Sequence, residues 1–109
     1  MVDTALLEEV QRFAADKLGL RFAKLRPEHS LLHDWNVSGL DGVGFMLAFA
    51  KKFHVDISGF DLGRYFGDEP PPLFRSRPEL ARIPRLTFID LSRAAREHVW
   101  KEHQGAVTL

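Results

Sequence analysis

Five of the chain's six prolines fall within residues 67–85, and three of them are consecutive at Pro70, Pro71 and Pro72. Proline lacks the backbone N–H and clashes with the preceding helical turn, so no helix is expected to run through that stretch. The triplet favours an extended polyproline path. Leu73, Phe74, Leu80 and Ile83 could pin such a loop to the surface. A core must therefore come from the flanking segments, where apolar residues recur at helical spacing rather than alternating.

The first such segment runs from Asp3 to Leu18, with Leu6, Val10, Phe13, Ala14 and Leu18 as its apolar stripe. Asp3 or Thr4 suits the N-cap, and Gly19 suits the left-handed stop. Residues 21–37 contain Pro27 and many polar residues, and read as a loop tucked in by Leu31, Leu32 and Trp35. A second helix is expected from about Gly39 to Phe53, with Ser38 and Asp41 as a capping box. Leu40, Val43, Met46, Leu47, Ala50 and Phe53 are expected on its core face, widened by Phe45 and Phe49. A short helical stretch is expected over residues 59–66. The last helix starts at the Thr87–Asp90 capping box, uses Phe88, Leu91, Ala95, His98 and Val99 as its stripe, and frays near Gln104. Three longer helices and one short one predict an all-α four-helix bundle with a proline-rich loop inserted before the last helix.

A length of 109 residues fits one domain spanning residues 1–109, with 104–109 as a frayed tail. The chain has no cysteine, which excludes disulfides and thiolate chemistry. Fifteen basic and fifteen acidic residues cancel. Residues 1–69 hold 8 basic against 11 acidic residues, and residues 70–109 hold 7 against 4, an asymmetry too mild for a nucleic-acid footprint. Neither a signal peptide nor a membrane span is expected, which points to the cytoplasm.

The five histidines suggest no metal site. His29 and His33 are four apart, but Pro27 argues against the helix that would align them, and His98 and His103 lack a carboxylate in a zinc-like pattern. Gly39, Gly42 and Gly44 do not form a phosphate-binding loop, and no nucleophile elbow occurs. No enzyme is expected.

Residues 30–57 read S-L-L-H-D-W-N-V-S-G-L-D-G-V-G-F-M-L-A-F-A-K-K-F-H-V-D-I. This resembles the centre of an acyl carrier protein. The turn at Asp34-Trp35-Asn36, the Leu40-Asp41-x-Val43 helix start and the Phe53-x-Val55-x-Ile57 exit carry the match. Leu86-Thr87-Phe88-Ile89-Asp90-Leu91 is similar to the start of the carrier's last helix. The Ser58–Phe66 run, together with the missing serine, resembles a bacterial carrier-like family of unassigned function.

The resemblance sets Gly39 where a carrier has the serine that is esterified to 4′-phosphopantetheine. Glycine has no oxygen to esterify, so no prosthetic group is expected there. Ser38 is the only fallback, one residue early and so rotated by about 100° around the helix, and it reads better as an N-cap. Carriers also present acidic side chains along this helix; Gly44, Ala50, Lys51 and Lys52 stand there instead, removing or reversing that charge pattern. Gly44 and Ala48 are small residues four apart on the outer face, flanked by Phe45 and Phe49. Either the proline-rich loop lies over them or another helix does.

The expected function is thus a non-catalytic, carrier-like interaction module that binds another protein, or a second copy of itself. Asp41, Gly44, Phe45, Ala48, Phe49 and Lys52 are the expected contact residues. One alternative is a true acyl carrier loaded on Ser38. Another is a regulatory or nucleic-acid-binding domain using Arg75, Arg77, Arg82 and Arg85.

Overall fold

The computed structural model describes residues 3–35, 37, 39–61 and 84–101. Ser38, residues 62–66 of the expected short helix, nearly all of the proline-rich stretch and the C-terminal tail lie outside these described residues.

The protein is all-helical, and the described residues form no strand. Helix α1 spans Thr4–Leu18, a 3-10 turn spans Phe22–Lys24, and α2 spans Leu31–Trp35. Helix α3 spans Gly39–Phe53 and α4 spans Phe88–Glu97. The long helices begin and end where local chemistry allows. Asp3 caps α1 by accepting the Leu6 N–H at 3.1 Å. Gly19, at φ +71°, closes its other end, and the Leu20 N–H reaches back to the Ala15 carbonyl. Thr87 and Asp90 exchange side-chain-to-backbone bonds at the start of α4, as the sequence pattern suggested.

A short helix forms in a segment whose sequence reads as a loop. Its polar residues looked like loop, yet they cap a single turn. Ser30 Oγ accepts the His33 N–H, and Asp34 Oδ2 accepts the Ser30 N–H at 2.7 Å. Side chains that read as breakers therefore satisfy the orphan groups of α2. At the expected site of the short helix, the described residues make a turn closed by the Phe60 N–H on the Ile57 carbonyl.

Helix α1 packs against α4 and α3. Its buried residues are Leu7, Val10, Gln11 and Ala14, so the core stripe is rotated from the expected one; Leu6, Phe13 and Leu18 pack at the margin. Phe45, Phe49, Phe88, Leu31, Met46 and Leu91 form the fully buried centre. Phe13 meets Phe53 edge-on at 5.6 Å and lies 5.8 Å from Phe45, joining α1 to α3 through aromatic rings.

Helix α4 stops earlier than expected, at Glu97. His98 takes φ +63° and terminates the helix instead of lying on its apolar stripe, and its side chain is exposed. Its Nδ1–H points at the Phe53 and His54 carbonyls, each 3.1 Å away, at the end of α3. The chain then runs beside Asp56, with Asp56 N–H on His98 O and Trp100 N–H on Asp56 O. This brings Trp100, a core residue absent from the sequence reading, edge-on against Phe60 at 4.9 Å.

Candidate functional site

The start and outer face of α3 form the most distinctive surface. Its inner face consists of Gly42, Phe45, Met46, Phe49 and Phe53. These positions follow i, i+3, i+4, i+7 and i+11, a regular helical stripe. The expected core face was therefore wrong in part. Leu40 is 88% exposed and Leu47 is 57% exposed, the two large hydrophobic residues left in solvent among the described residues. Val43 and Ala50 are half-buried.

Two equally apolar faces competed for the core, and the aromatic one won. Phe45, Phe49 and Phe53 bury more area per residue than Leu40, Val43 and Leu47, and Phe45 and Phe53 mesh with Phe13. Nine residues separate Leu40 from Phe49, about two and a half turns, so Leu40 lies opposite the core. The regular Gly42–Phe53 stripe was the signal that could have found this arrangement.

The outcome re-sorts the expected contact residues. Phe45 and Phe49 are 1% and 0% exposed, so they support the core and cannot meet a partner. Asp41, Gly44 and Lys52 are exposed, and Ala48 is half-buried. A Cβ built on Gly44 meets nothing within 4 Å, so packing among the described residues does not require glycine there.

Helix α3 opens on Gly39 at φ +55°. A Cβ would meet no neighbour there either, but an L-residue in this left-handed region is strained by its own backbone. Glycine thus meets a conformational need at the helix start as well as leaving it without a side chain.

The segment leading into α3 is tied to the residues that precede α4. Arg85 donates to Asp34 Oδ2 at 2.7 Å and to the Glu28 carbonyl at 3.2 Å. Leu31 N–H bonds to Leu86 O, and Ile89 N–H bonds to Pro27 O. Arg85 therefore staples the fold; of the four arginines of the nucleic-acid alternative it is the one among the described residues, and Arg75, Arg77 and Arg82 lie outside them. For Asp34, partial burial is the largest influence and pushes its pKa up. The Ser30 N–H and the Arg85 guanidinium together outweigh it and hold the carboxyl below its ordinary value.

The histidines are distributed rather than gathered. His29 Nδ1 accepts from the Trp35 indole and the Arg26 N–H, both at 3.2 Å. Ser30 Oγ lies 2.9 Å from His33 Nδ1, but Ser30 is fully buried, so the pair belongs to the cap of α2. Among the described residues, no three His, Asp or Glu side chains form a metal-holding group. Nor is any described helix long and apolar enough to cross a membrane.

Residues 4–101 match the family described as a protein of unknown function, DUF1493. The chain belongs to that family. It is also similar to an acyl carrier protein of Cyanidioschyzon merolae, 28% identical over 57 residues, and to one of Thermosynechococcus vestitus, 35% identical over 57 residues. Each match covers 52% of this chain, with 63% of the first relative's length and 70% of the second's. The chain thus spans a little less than two thirds of the first. No solved structure matches.

Proposed function

We propose that this DUF1493 protein is a carrier-shaped, non-catalytic interaction module that works without a prosthetic group and meets its partner through the outer face of α3. The observation that carries this reading is the start of α3. The carrier resemblance sets Gly39 at the attachment position, where no hydroxyl exists and the backbone stands at φ +55°. A phosphopantetheine arm does not fit such a position, because nothing can form the phosphodiester. Exposed Leu40 and Leu47 supply a reason to keep the scaffold: apolar side chains held in water on a rigid helix are suited to burial in a partner.

The test is intact-mass measurement after co-expression with a phosphopantetheinyl transferase and a known carrier as positive control. The expected result is an unmodified chain beside a fully modified control. An adduct that disappears in Ser38→Ala would establish a genuine carrier and overturn the reading.

A further inference from the structure

The outer face of α3 is complementary to itself. Leu40 and Leu47 stand two turns apart, about 10 Å along the axis, with exposed Gly44 one turn after Leu40 and exposed Lys51 one turn after Leu47. All four lie on the side opposite the buried phenylalanines. Asp41 is exposed at the flank of the first turn. The stripe therefore runs acid and leucine, gap, leucine, base.

We infer that a second copy of this chain occupies that face, its α3 antiparallel to the first. One alignment satisfies the apolar and charged features together. When Leu47 of one copy sits over Gly44 of the other, the same register sets Lys51 across from Leu40. The side chains of a helix lean toward its N-terminus, so the Lys51 stem covers Leu40 and its ammonium approaches the neighbouring Asp41. A two-fold axis repeats each contact, giving two leucine-on-glycine contacts and two Lys51–Asp41 pairs in a closed dimer.

Three observations favour a second copy over an unrelated partner. Gly44 weakens the helix it sits in and has no packing neighbour among the described residues to require it, whereas a leucine approaching from outside does require it. The charge order along α3 reverses end to end, so antiparallel pairing brings opposite charges together and parallel pairing brings like charges together. The formal net charge is zero, so no overall repulsion opposes association. The inference rests on the interaction-module reading and names its partner.

The full 109-residue chain is measured by sedimentation equilibrium over a broad concentration range. A contact built on one helix per copy is smaller than the usual interface of about 1,600 Å², so a dissociation constant on the order of 100 µM is expected. Gly44→Leu fills the gap while improving helix propensity, and should weaken the dimer at least tenfold without loss of helical signal. Asp41→Lys and Lys51→Asp should each weaken it by roughly tenfold, and the double exchange should restore most of the loss. Restoration is the decisive readout, since general surface damage does not reverse. A monomer at every concentration overturns the inference, as does a dimer indifferent to all of these changes. Neither result bears on loading, because the mass measurement tests that independently; an unmodified monomer leaves the module reading standing with a different partner.

Discussion

Helices α3 and α4 solve the same problem with different remainders. The ten residues of α4 begin at a complete capping box, end at a left-handed residue and leave no large hydrophobic side chain exposed. The fifteen residues of α3 bury three phenylalanines yet hold Leu40 and Leu47 in water, and they start at a glycine no other residue replaces without strain. Helix α3 carries apolar surface beyond what the core uses, and the proposed interaction reading rests on that surplus.

The sharpest test of this contrast lies within α3 itself. Phe49→Ala removes a fully buried ring beside Phe45 and Phe53 and should cost about 3–5 kcal/mol by urea denaturation. Leu40→Ala and Leu47→Ala should each change the monomer's stability by less than about 0.5 kcal/mol. A comparable loss from Leu40→Ala would mean that Leu40 serves the core, and the distinction between faces would fail.

The two helix starts extend the comparison. Thr87→Ala dismantles the capping box of α4 and should cost about 1 kcal/mol. Gly39→Ala should cost about 1–2 kcal/mol although its methyl group meets open space, because the penalty is in the backbone. Gly39→Asn should lose less, since asparagine tolerates the left-handed region better. If both Gly39 variants melt with the parent, the start of α3 is not held at φ +55° in solution.

How much of this was legible follows the kind of signal each feature left. The caps of α1 and α4 were readable because Asp3, Gly19, Thr87 and Asp90 act over three or four residues. Helix α2 was not, because Ser30, His33 and Asp34 are typical loop residues whose partners become apparent only once the turn exists. The face of α3 failed for a different reason. Leucine, valine and phenylalanine are all apolar, so periodicity alone allowed two stripes, and the choice depended on the aromatic ring that α1 offered at Phe13. Trp100 escaped because its burial depends on Asp56, 44 residues earlier in the chain, through backbone bonds that leave no periodic mark. Gly39 was visible as a missing hydroxyl; its left-handed backbone was not.

The helix ends give a smaller contrast. His54 and His98 both adopt positive φ, at +57° and +63°, where glycine would be unstrained. His98 compensates through its Nδ1–H at the end of α3, whereas His54 is bonded through its carbonyl. His54→Gly should therefore be neutral or stabilise by up to about 1 kcal/mol. His98→Gly should gain the same backbone relief but lose the link between α3 and α4, and come out less stable than His54→Gly. Differential scanning calorimetry of the pair measures the value of that link; equal melting temperatures would remove it.

The smallest expected effect concerns the staple between the two parts of the chain. Because the folded-state pKa of Asp34 is lowered, its ionised form is the one the fold favours. Its contribution should be complete above the unfolded value of about 3.9 and disappear as pH falls through the lower folded value. Arg85 is half exposed and the Asp34 side chain one third, so solvent screens the pair and less than about 1 kcal/mol is expected. Glu28 and Asp56 are also lowered and would blur a single acid titration. The useful quantity is thus the stability difference between the parent and Asp34→Asn, constant from neutral pH to about 5 and shrinking below about 4. Added salt should reduce it, because a surface pair is screened while the Ser30 N–H bond is local. A difference that persists unchanged into acid would show that the fold does not draw on the charge of Asp34, and would leave the junction with α4 held by its backbone bonds and by the Arg85 contact to Glu28.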